Sequence, residues 1–191
     1  MLGSWDIKIS KNMPEKVATA VGKLADTLIG AEYTPILYLG SQVVNGTNHA
    51  VLAEQLITTG KDTKNVVVII FNEKGMDCTL VNIERVVLGG GELGGVAINT
   101  TTDIPEDVKA AFETAKEGFV GANVEPVALL GTQVTKGTDY IFAAKVTPVV
   151  KEPSVKVGLV IANDMTGKFS ITDLLSSKQE VLCGYAFTWL K

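Results

Sequence analysis

The residue types that most often carry catalysis are scarce in this chain. Among its 191 residues there is one histidine, His49, and there are two cysteines, Cys78 and Cys183. A thiol enzyme needs a cysteine beside a histidine, and a zinc site needs about three or four ligands of these types. A Cys78–His49 pair is possible in principle, but both cysteines are expected to be free thiols. We therefore predict a protein that is not an enzyme and has no metal site and no cofactor.

The composition also argues against several other classes of protein. The chain is 46% hydrophobic and 20% charged, which is typical of a globular protein and not of a disordered one. A net charge of −4 argues against nucleic-acid binding. The longest apolar run, Val66–Phe71, is far shorter than the roughly 18–20 residues of a membrane span and predicts a buried central strand. No membrane segment and no signal peptide are recognised, so a cytoplasmic or particle-associated protein is expected unless a leader was removed.

The stretch Gly89–Gly94 has the glycine spacing of a dinucleotide-binding motif. That motif must open a helix directly after a strand. Here a strand-like segment, Val96–Thr100, follows instead. The glycines therefore indicate a linker and not a nucleotide site.

The chain contains an internal repeat with an offset of 91 residues. The segment 3–53 aligns without a gap to 94–144, and 16 of the 51 positions are identical. The glycine-rich linker lies between the copies, so two domains are predicted, 1–90 and 91–191. In the second copy Tyr140 takes the place of His49, which predicts that His49 is solvated or lies in an interface and is not a catalytic base.

Each copy begins with the pattern of a strand followed by a helix. Trp5–Ile9 alternates with period two, as a half-buried strand does. Asn12 can cap a helix that has Pro14 in its first turn. The predicted core positions of the two helices repeat at intervals of 4, 3 and 4 residues: Val17, Val21, Leu24 and Leu28, then Val108, Phe112, Ala115 and Phe119.

Only strand signals follow each helix. Asn45-Gly46 is a strong hairpin signal between 35–44 and 47–57. A second hairpin is predicted with its turn at Asn72–Gly75, and its counterpart in the second copy has its turn at Asn163–Gly167. A last strand-like segment, 181–190, has no equivalent in the first copy.

The first hairpin resembles that of the cystatins. Gln42-Val43-Val44-Asn45-Gly46 matches the Gln-x-Val-x-Gly motif of that family, and Gly3 resembles the glycine of the cystatin N-terminal trunk. The resemblance implies an α+β fold of two tandem cystatin-like units, each a helix packed on a curved four- to five-stranded antiparallel sheet. It also implies reversible inhibition of papain-like cysteine proteases by a wedge that occupies the active-site cleft.

The chain departs from the family pattern at several positions. Neither second-hairpin turn contains the Pro-Trp pair of the cystatin wedge, and Thr135 stands where the motif has valine. Only Met1 and Leu2 precede Gly3 in the trunk. Any inhibition is therefore expected to be weaker than that of the family's best members.

Two function classes follow for a non-enzymatic protein that binds another protein. The first is a protease inhibitor, and the alternative is a structural or assembly protein, for example a particle component, that packs or oligomerises without inhibiting proteases. A third option is a small-ligand binder. The candidate protein-binding residues are Gly3, Gln42, Val43, Val44, Asn45 and Gly46, with Gln133, Val134, Lys136 and Gly137 in the second copy. A Gly46→Glu substitution is expected to abolish inhibition and to leave the fold intact.

Overall fold

The computed structural model describes residues 4–60, 62–90, 94–165 and 167–176. It divides the chain into two compact units, which we call unit 1 (Met1–Gly89) and unit 2 (Gly90–Lys191). The strand-like segment at 181–190 lies outside the described residues.

Unit 1 is one five-stranded antiparallel sheet with one helix. Its strands lie side by side in chain order. The elements are β1 (Trp5–Ser10), α1 (Glu15–Ala25), β2 (Ala31–Val44), β3 (Gly46–Ile57), β4 (Thr63–Lys74) and β5 (Asp77–Leu88).

Unit 2 repeats this order, and its strands again lie side by side in an antiparallel sheet. The elements are β6 (Val96–Thr101), α2 (Glu106–Glu117), β7 (Ala122–Thr135), β8 (Gly137–Pro148), β9 (Lys156–Met165) and β10 (Lys168–Ser176).

The predicted fold class is wrong. The α+β prediction, a helix on a sheet in two tandem cystatin-like units, is contradicted: the described part of the chain is 61% strand and 14% helix, with two five-stranded sheets and only two helices among its residues. A sheet covered by a helix on one face commonly leaves its other face polar. In unit 1 both faces of the central strands are apolar and buried, so the strands and not the helices dominate the fold.

The burial of β3 and β4 shows this directly. Successive strand residues point to opposite faces. Val51, Val67 and Ile69 pack with Val17 and Val21 of α1 on one face. The alternate residues on the other face are also fully or almost fully buried, as the central-strand prediction for Val66–Phe71 requires: Ala50, Leu52, Val66, Val68 and Ile70.

The helices are shorter than predicted. Pro14 occupies the N-cap of α1, and Asn12 makes no capping hydrogen bond; its backbone N–H bonds to the Ser10 hydroxyl instead. Because α1 ends at Ala25, Leu28 is not a helical residue, and Phe119 likewise lies beyond α2. The core positions Val17 and Val21 are buried as predicted.

Buried polar side chains of unit 1 are paired with each other. Asn65, with 1% of its surface exposed, donates from Nδ2 to Gln55 Oε1 at 3.1 Å and accepts from the Gly89 backbone N–H at 3.3 Å. Gln55 in turn donates to the Tyr33 hydroxyl at 2.9 Å. This chain of hydrogen bonds satisfies the polar groups that the core would otherwise leave without partners.

Within the described ranges, no helix combines the length and the apolar character needed to cross a membrane.

Candidate functional site

The β2–β3 hairpin of unit 1 carries the residues that resemble the cystatin motif. Val44 pairs with Gly46, and Asn45 alone forms the turn between them, which confirms the hairpin predicted from Asn45-Gly46. Gly46 has a φ of +100°, a conformation that favours glycine. A Cβ atom at Gly46 would lie 2.6 Å from the backbone oxygen of Glu73, so the turn packs directly against the end of β4.

This packing corrects one sequence-based expectation. Gly46→Glu was expected to remove binding and leave the fold intact. A side chain at Gly46 must instead displace the backbone of Glu73 and the side chain of Asn72, whose Oδ1 would lie 2.8 Å from the new Cβ. The substitution therefore perturbs the fold, and it cannot serve as a clean test of binding.

The second hairpin of unit 1 has a tighter turn than predicted. Asn72 and Glu73 were expected to lie in the turn, but β4 continues through Lys74, which pairs with Asp77 at the start of β5. Only Gly75 and Met76 form the turn, and Gly75 has a φ of +66°. Strand pairing thus extends to the very tip of the hairpin.

The register of the sheet places the two tips next to each other. Thr47, just after the β2–β3 turn, pairs with Glu73, just before the β4–β5 turn. The first residue of β1, Trp5, pairs with Gln42 on the other side of the same hairpin. Both turns and the start of β1 therefore lie at one end of the sheet.

Apolar side chains at these two tips are exposed to solvent. Val43 is 56% exposed, Val44 is 39% exposed and Met76 is fully exposed. We call these three residues the hairpin end of unit 1. Single exposed apolar residues are common on protein surfaces, but these three lie at adjacent tips of one end of the sheet.

Side-chain hydrogen bonds hold the base of this surface. Asn72 Nδ2 donates to Asn48 Oδ1 at 2.9 Å, and Asn48 Nδ2 donates to Gln42 Oε1 at 2.9 Å. The bonds cross from β4 through β3 to β2. Gln42 therefore has a structural role: it helps to fix the hairpin that presents Val43 and Val44.

Unit 2 repeats the arrangement with different residues. Val134 at the β7–β8 hairpin is 75% exposed, and Met165 at the end of β9 is 52% exposed. We call these two residues the hairpin end of unit 2. Gln133 Nε2 donates to the backbone oxygen of Gly94 at 2.7 Å, which attaches the start of the unit to the hairpin. A Cβ at Gly137 would lie 2.2 Å from the Asp164 oxygen, so this turn also needs glycine.

The predicted binding residues fall into three groups. Val43, Val44 and Val134 are exposed at the tips, and Asn45 and Lys136 are exposed at the two turns. Gln42 and Gln133 hold the hairpins through side-chain hydrogen bonds, and Gly46 and Gly137 allow the tight turns. Gly3 lies outside the described residues.

Met76 and Met165 were not recognised as candidate residues from the sequence. Each lies at the turn of the second hairpin in its unit, close to a turn glycine, Gly75 or Gly167. The sequence feature that could have identified them is a methionine close to a turn glycine in both copies. Their place beside the valine tips depends on strand register, which the sequence does not display.

His49 is buried, contrary to the prediction of a solvated or interface residue. Only 8% of its surface is exposed. Its Nδ1 lies 3.2 Å from the Tyr38 hydroxyl and its Nε2 lies 3.1 Å from Glu73 Oε2. Both ring nitrogens therefore have partners other than a cysteine.

Cys78 is a free thiol, as predicted, while Cys183 lies outside the described residues. Burial raises the pKa of the Cys78 thiol, and the nearby Glu73 carboxylate raises it further. A nucleophilic cysteine needs the opposite shift, because the thiolate is the reactive form. The environment of Cys78 thus disfavours thiol catalysis.

Among the described residues, no group of three or more His, Cys, Asp or Glu side chains is placed to hold a metal ion. Neither a protein-family profile nor a curated protein sequence matches this chain. The functional argument therefore depends on the geometry of the two hairpin ends.

Proposed function

We propose that this chain is a non-enzymatic protein-binding protein whose main contact surface is the hairpin end of unit 1. The observation that carries the proposal is the exposure of Val43, Val44 and Met76 at two adjacent tips. Burying these side chains against another surface removes them from water and so stabilises the complex.

The tips are also held in place before any partner arrives. Strand pairing continues to Val44 and Lys74, and the Gln42–Asn48–Asn72 hydrogen bonds brace the base. A preformed surface loses little conformational entropy on binding. Fully burying a valine or methionine side chain contributes about 1.5–3 kcal/mol, so three residues can supply much of a useful affinity.

The partner we propose is the active-site cleft of a papain-like cysteine protease. Two observations support it: the Gln-x-Val-x-Gly resemblance of residues 42–46, and the exposed apolar side chains of Val43, Val44 and Met76 at the same end of the sheet. Binding would be reversible and would block substrate access. Unit 2, with Val134 and Met165, offers a second end of the same kind, so one chain could engage two protease molecules.

A structural or assembly role is the second candidate. It is favoured by exposed apolar residues outside the hairpin ends: Leu80, Val81, Val149 and Val150. Leu80 and Val81 lie on β5, an edge strand of its sheet, where another chain could pair.

The edge strands nevertheless oppose simple sheet-to-sheet pairing. Each of β1, β5, β6 and β10 contains a register shift in its pairing with the neighbouring strand. Such irregularities are a common protection against edge-to-edge association. This is why we place the hairpin ends ahead of the edges as the contact surface.

The experiment that tests the proposal is a titration of the purified chain into active papain, with residual activity as the readout. A Val43→Ser/Met76→Ser double variant is expected to weaken inhibition by about 100-fold or more, since the two buried side chains together contribute about 3–6 kcal/mol. Ile29→Ser is the matched control, because Ile29 is a fully exposed apolar residue of unit 1 outside the hairpin end.

Two outcomes would contradict the proposal at different levels. Absence of inhibition at about 10 μM, a binding free energy weaker than about −7 kcal/mol, rules out papain-like targets. Sedimentation velocity then tests whether the chain self-associates. If Leu80→Ser/Val81→Ser abolishes self-association and Val43→Ser/Met76→Ser leaves it unchanged, the contact surface is the β5 edge and not the hairpin end.

A further inference from the structure

Asn45 forms the turn of the β2–β3 hairpin, and it is the only asparagine of this chain that a glycine follows. In an asparagine-glycine pair the backbone can attack the side-chain amide with least hindrance, because glycine has no Cβ atom to crowd the ring that forms. At every other asparagine the next residue carries a side chain. The sequence thus singles out one position for deamidation, the loss of the amide group as ammonia.

The structure leaves the Asn45 amide open to this reaction. Asn45 is exposed, and within the described ranges its side chain makes no hydrogen bond. The nearby Asn48 is different: its Nδ2 donates to Gln42 Oε1 at 2.9 Å, and its Oδ1 accepts from Asn72 Nδ2 at 2.9 Å. Two hydrogen bonds hold the Asn48 amide in place, whereas the Asn45 amide can turn toward the backbone nitrogen that follows it.

The turn itself does not require asparagine. Unit 2 has Lys136 at the position of Asn45, and Gly137 follows it. Gly46 and Gly137 both have positive φ, +100° and +127°, so the turn depends on the glycine in both units. The residue before the glycine differs between them. The hairpin of unit 2 therefore cannot undergo the reaction at this place.

We propose that Asn45 is a site of spontaneous modification, at which the side-chain amide is converted to a carboxylate through a cyclic imide. The backbone nitrogen of Gly46 attacks the side-chain carbonyl carbon of Asn45. A new C–N bond forms, the amide C–N bond breaks, and the amide nitrogen leaves as ammonia with the proton of the Gly46 nitrogen. Water then opens the ring.

The ring can open at either of its two carbonyl groups. Water at the former side-chain carbonyl gives an aspartate. Water at the main-chain carbonyl gives an isoaspartate, in which the main chain runs through the former side chain. Water is the only co-reactant, and nothing is oxidised or reduced.

Both products change the hairpin end of unit 1. Each places a new carboxylate next to Val44 and adds one negative charge to the net charge of −4. Isoaspartate also lengthens the main chain by one methylene group within a turn of a single residue. Val44 pairs with Gly46, and Gly46 lies close to the backbone oxygen of Glu73. The longer chain must therefore displace the Val43–Val44 tip or separate the turn from β4.

The test is incubation of the purified full chain at pH 8, followed by trypsin digestion and tandem mass spectrometry. Trypsin releases the peptide 24–61, which contains both Asn45 and Asn48, so the two asparagines are compared within one molecule. Conversion is expected to be about tenfold or more faster at Asn45, because Asn48 must first break two side-chain hydrogen bonds. A sample digested without incubation gives the conversion that occurs during digestion.

Asn45→Lys is the matched control, since it introduces the residue that unit 2 has at this position. In the parent chain, incubation is expected to produce a more acidic species on anion-exchange chromatography. Asn45→Lys should abolish that species and leave the urea unfolding curve unchanged.

Two results would overturn the proposal. The first is conversion at Asn45 that is no faster than at Asn48 in the native chain. The second is conversion at Asn45 only after unfolding in urea, which would mean that the folded turn protects the amide. The consequence for binding rests on the proposed function, but the reaction does not. The papain titration uses freshly purified chain, so its failure is separate from failure here.

Discussion

Replacing Gly46 by alanine is expected to destabilise unit 1 more than replacing Gly75 by alanine. Both glycines have positive φ, +100° and +66°. An L-residue in this region costs about 1–2 kcal/mol, and the cost is at least as large at Gly46, whose φ lies further from the left-handed helical range. Both substitutions also reduce the entropy of the unfolded chain by the same amount.

The two positions differ in what a new methyl group meets. At Gly46 the Cβ would lie 2.6 Å from the Glu73 backbone oxygen, whereas at Gly75 no atom lies within 4 Å. Forcing a methyl group into a packed site typically costs about 1–3 kcal/mol. We therefore expect a loss of about 2–5 kcal/mol for Gly46→Ala and about 1–2 kcal/mol for Gly75→Ala.

The assay is urea unfolding followed by tryptophan fluorescence in a Trp189→Phe background. Trp5, at the start of β1, is then the only tryptophan and reports on unit 1. Equal losses of unfolding free energy for the Gly46 and Gly75 variants would refute the reasoning. They would mean that the first turn does not pack on the end of β4, and the proposed hairpin end would lose its structural basis.

Two further predictions concern buried groups of unit 1. Asn65→Ala should lower the unfolding free energy by about 1–3 kcal/mol, because it leaves buried polar partners without hydrogen bonds; Asn82→Ala, at an exposed position of β5, should change it by less than about 0.5 kcal/mol in the same urea assay. In a Cys183→Ser background, Cys78 should react with iodoacetamide more slowly at pH 8 than a small-molecule thiol, because burial and then Glu73 raise its pKa. Glu73→Gln should speed the reaction, and an unchanged rate would contradict the assigned influence of that carboxylate.

Local features of the chain were readable from the sequence. The internal repeat, the turn at Asn45-Gly46 and the core positions Val17 and Val21 depend on short-range spacing and on glycine's conformational freedom. The run Val66–Phe71 was recognised as a central strand because continuous apolar residues indicate burial on both faces. The same run argues against a sheet with one open face.

The wrong expectations have two causes: a local pattern misled the prediction of helix length, and contacts between distant residues decided the second turn and the burial of His49. Helix length was overestimated because apolar spacing continues past Ala25 into the loop. The turn at Asn72–Gly75 was placed too early because those polar residues are strand residues held by pairing with β3 and β5. The exchange of His49 with Tyr140 between the copies predicts a solvated or interface residue, but its partner Glu73 lies 24 residues away and is not visible in that comparison.

By itself the sequence determined the repeat and the hairpin at Asn45-Gly46, since these follow from residue type and local spacing. The tertiary structure decided which side chains meet. Strand register brings the turn that holds Met76 to the same end of the sheet as Val43 and brings Glu73 within hydrogen-bond distance of His49. It also buries both faces of the central strands of unit 1. Register is set by the summed pairing and packing of whole strands, because a shift of one residue would turn every side chain to the other face.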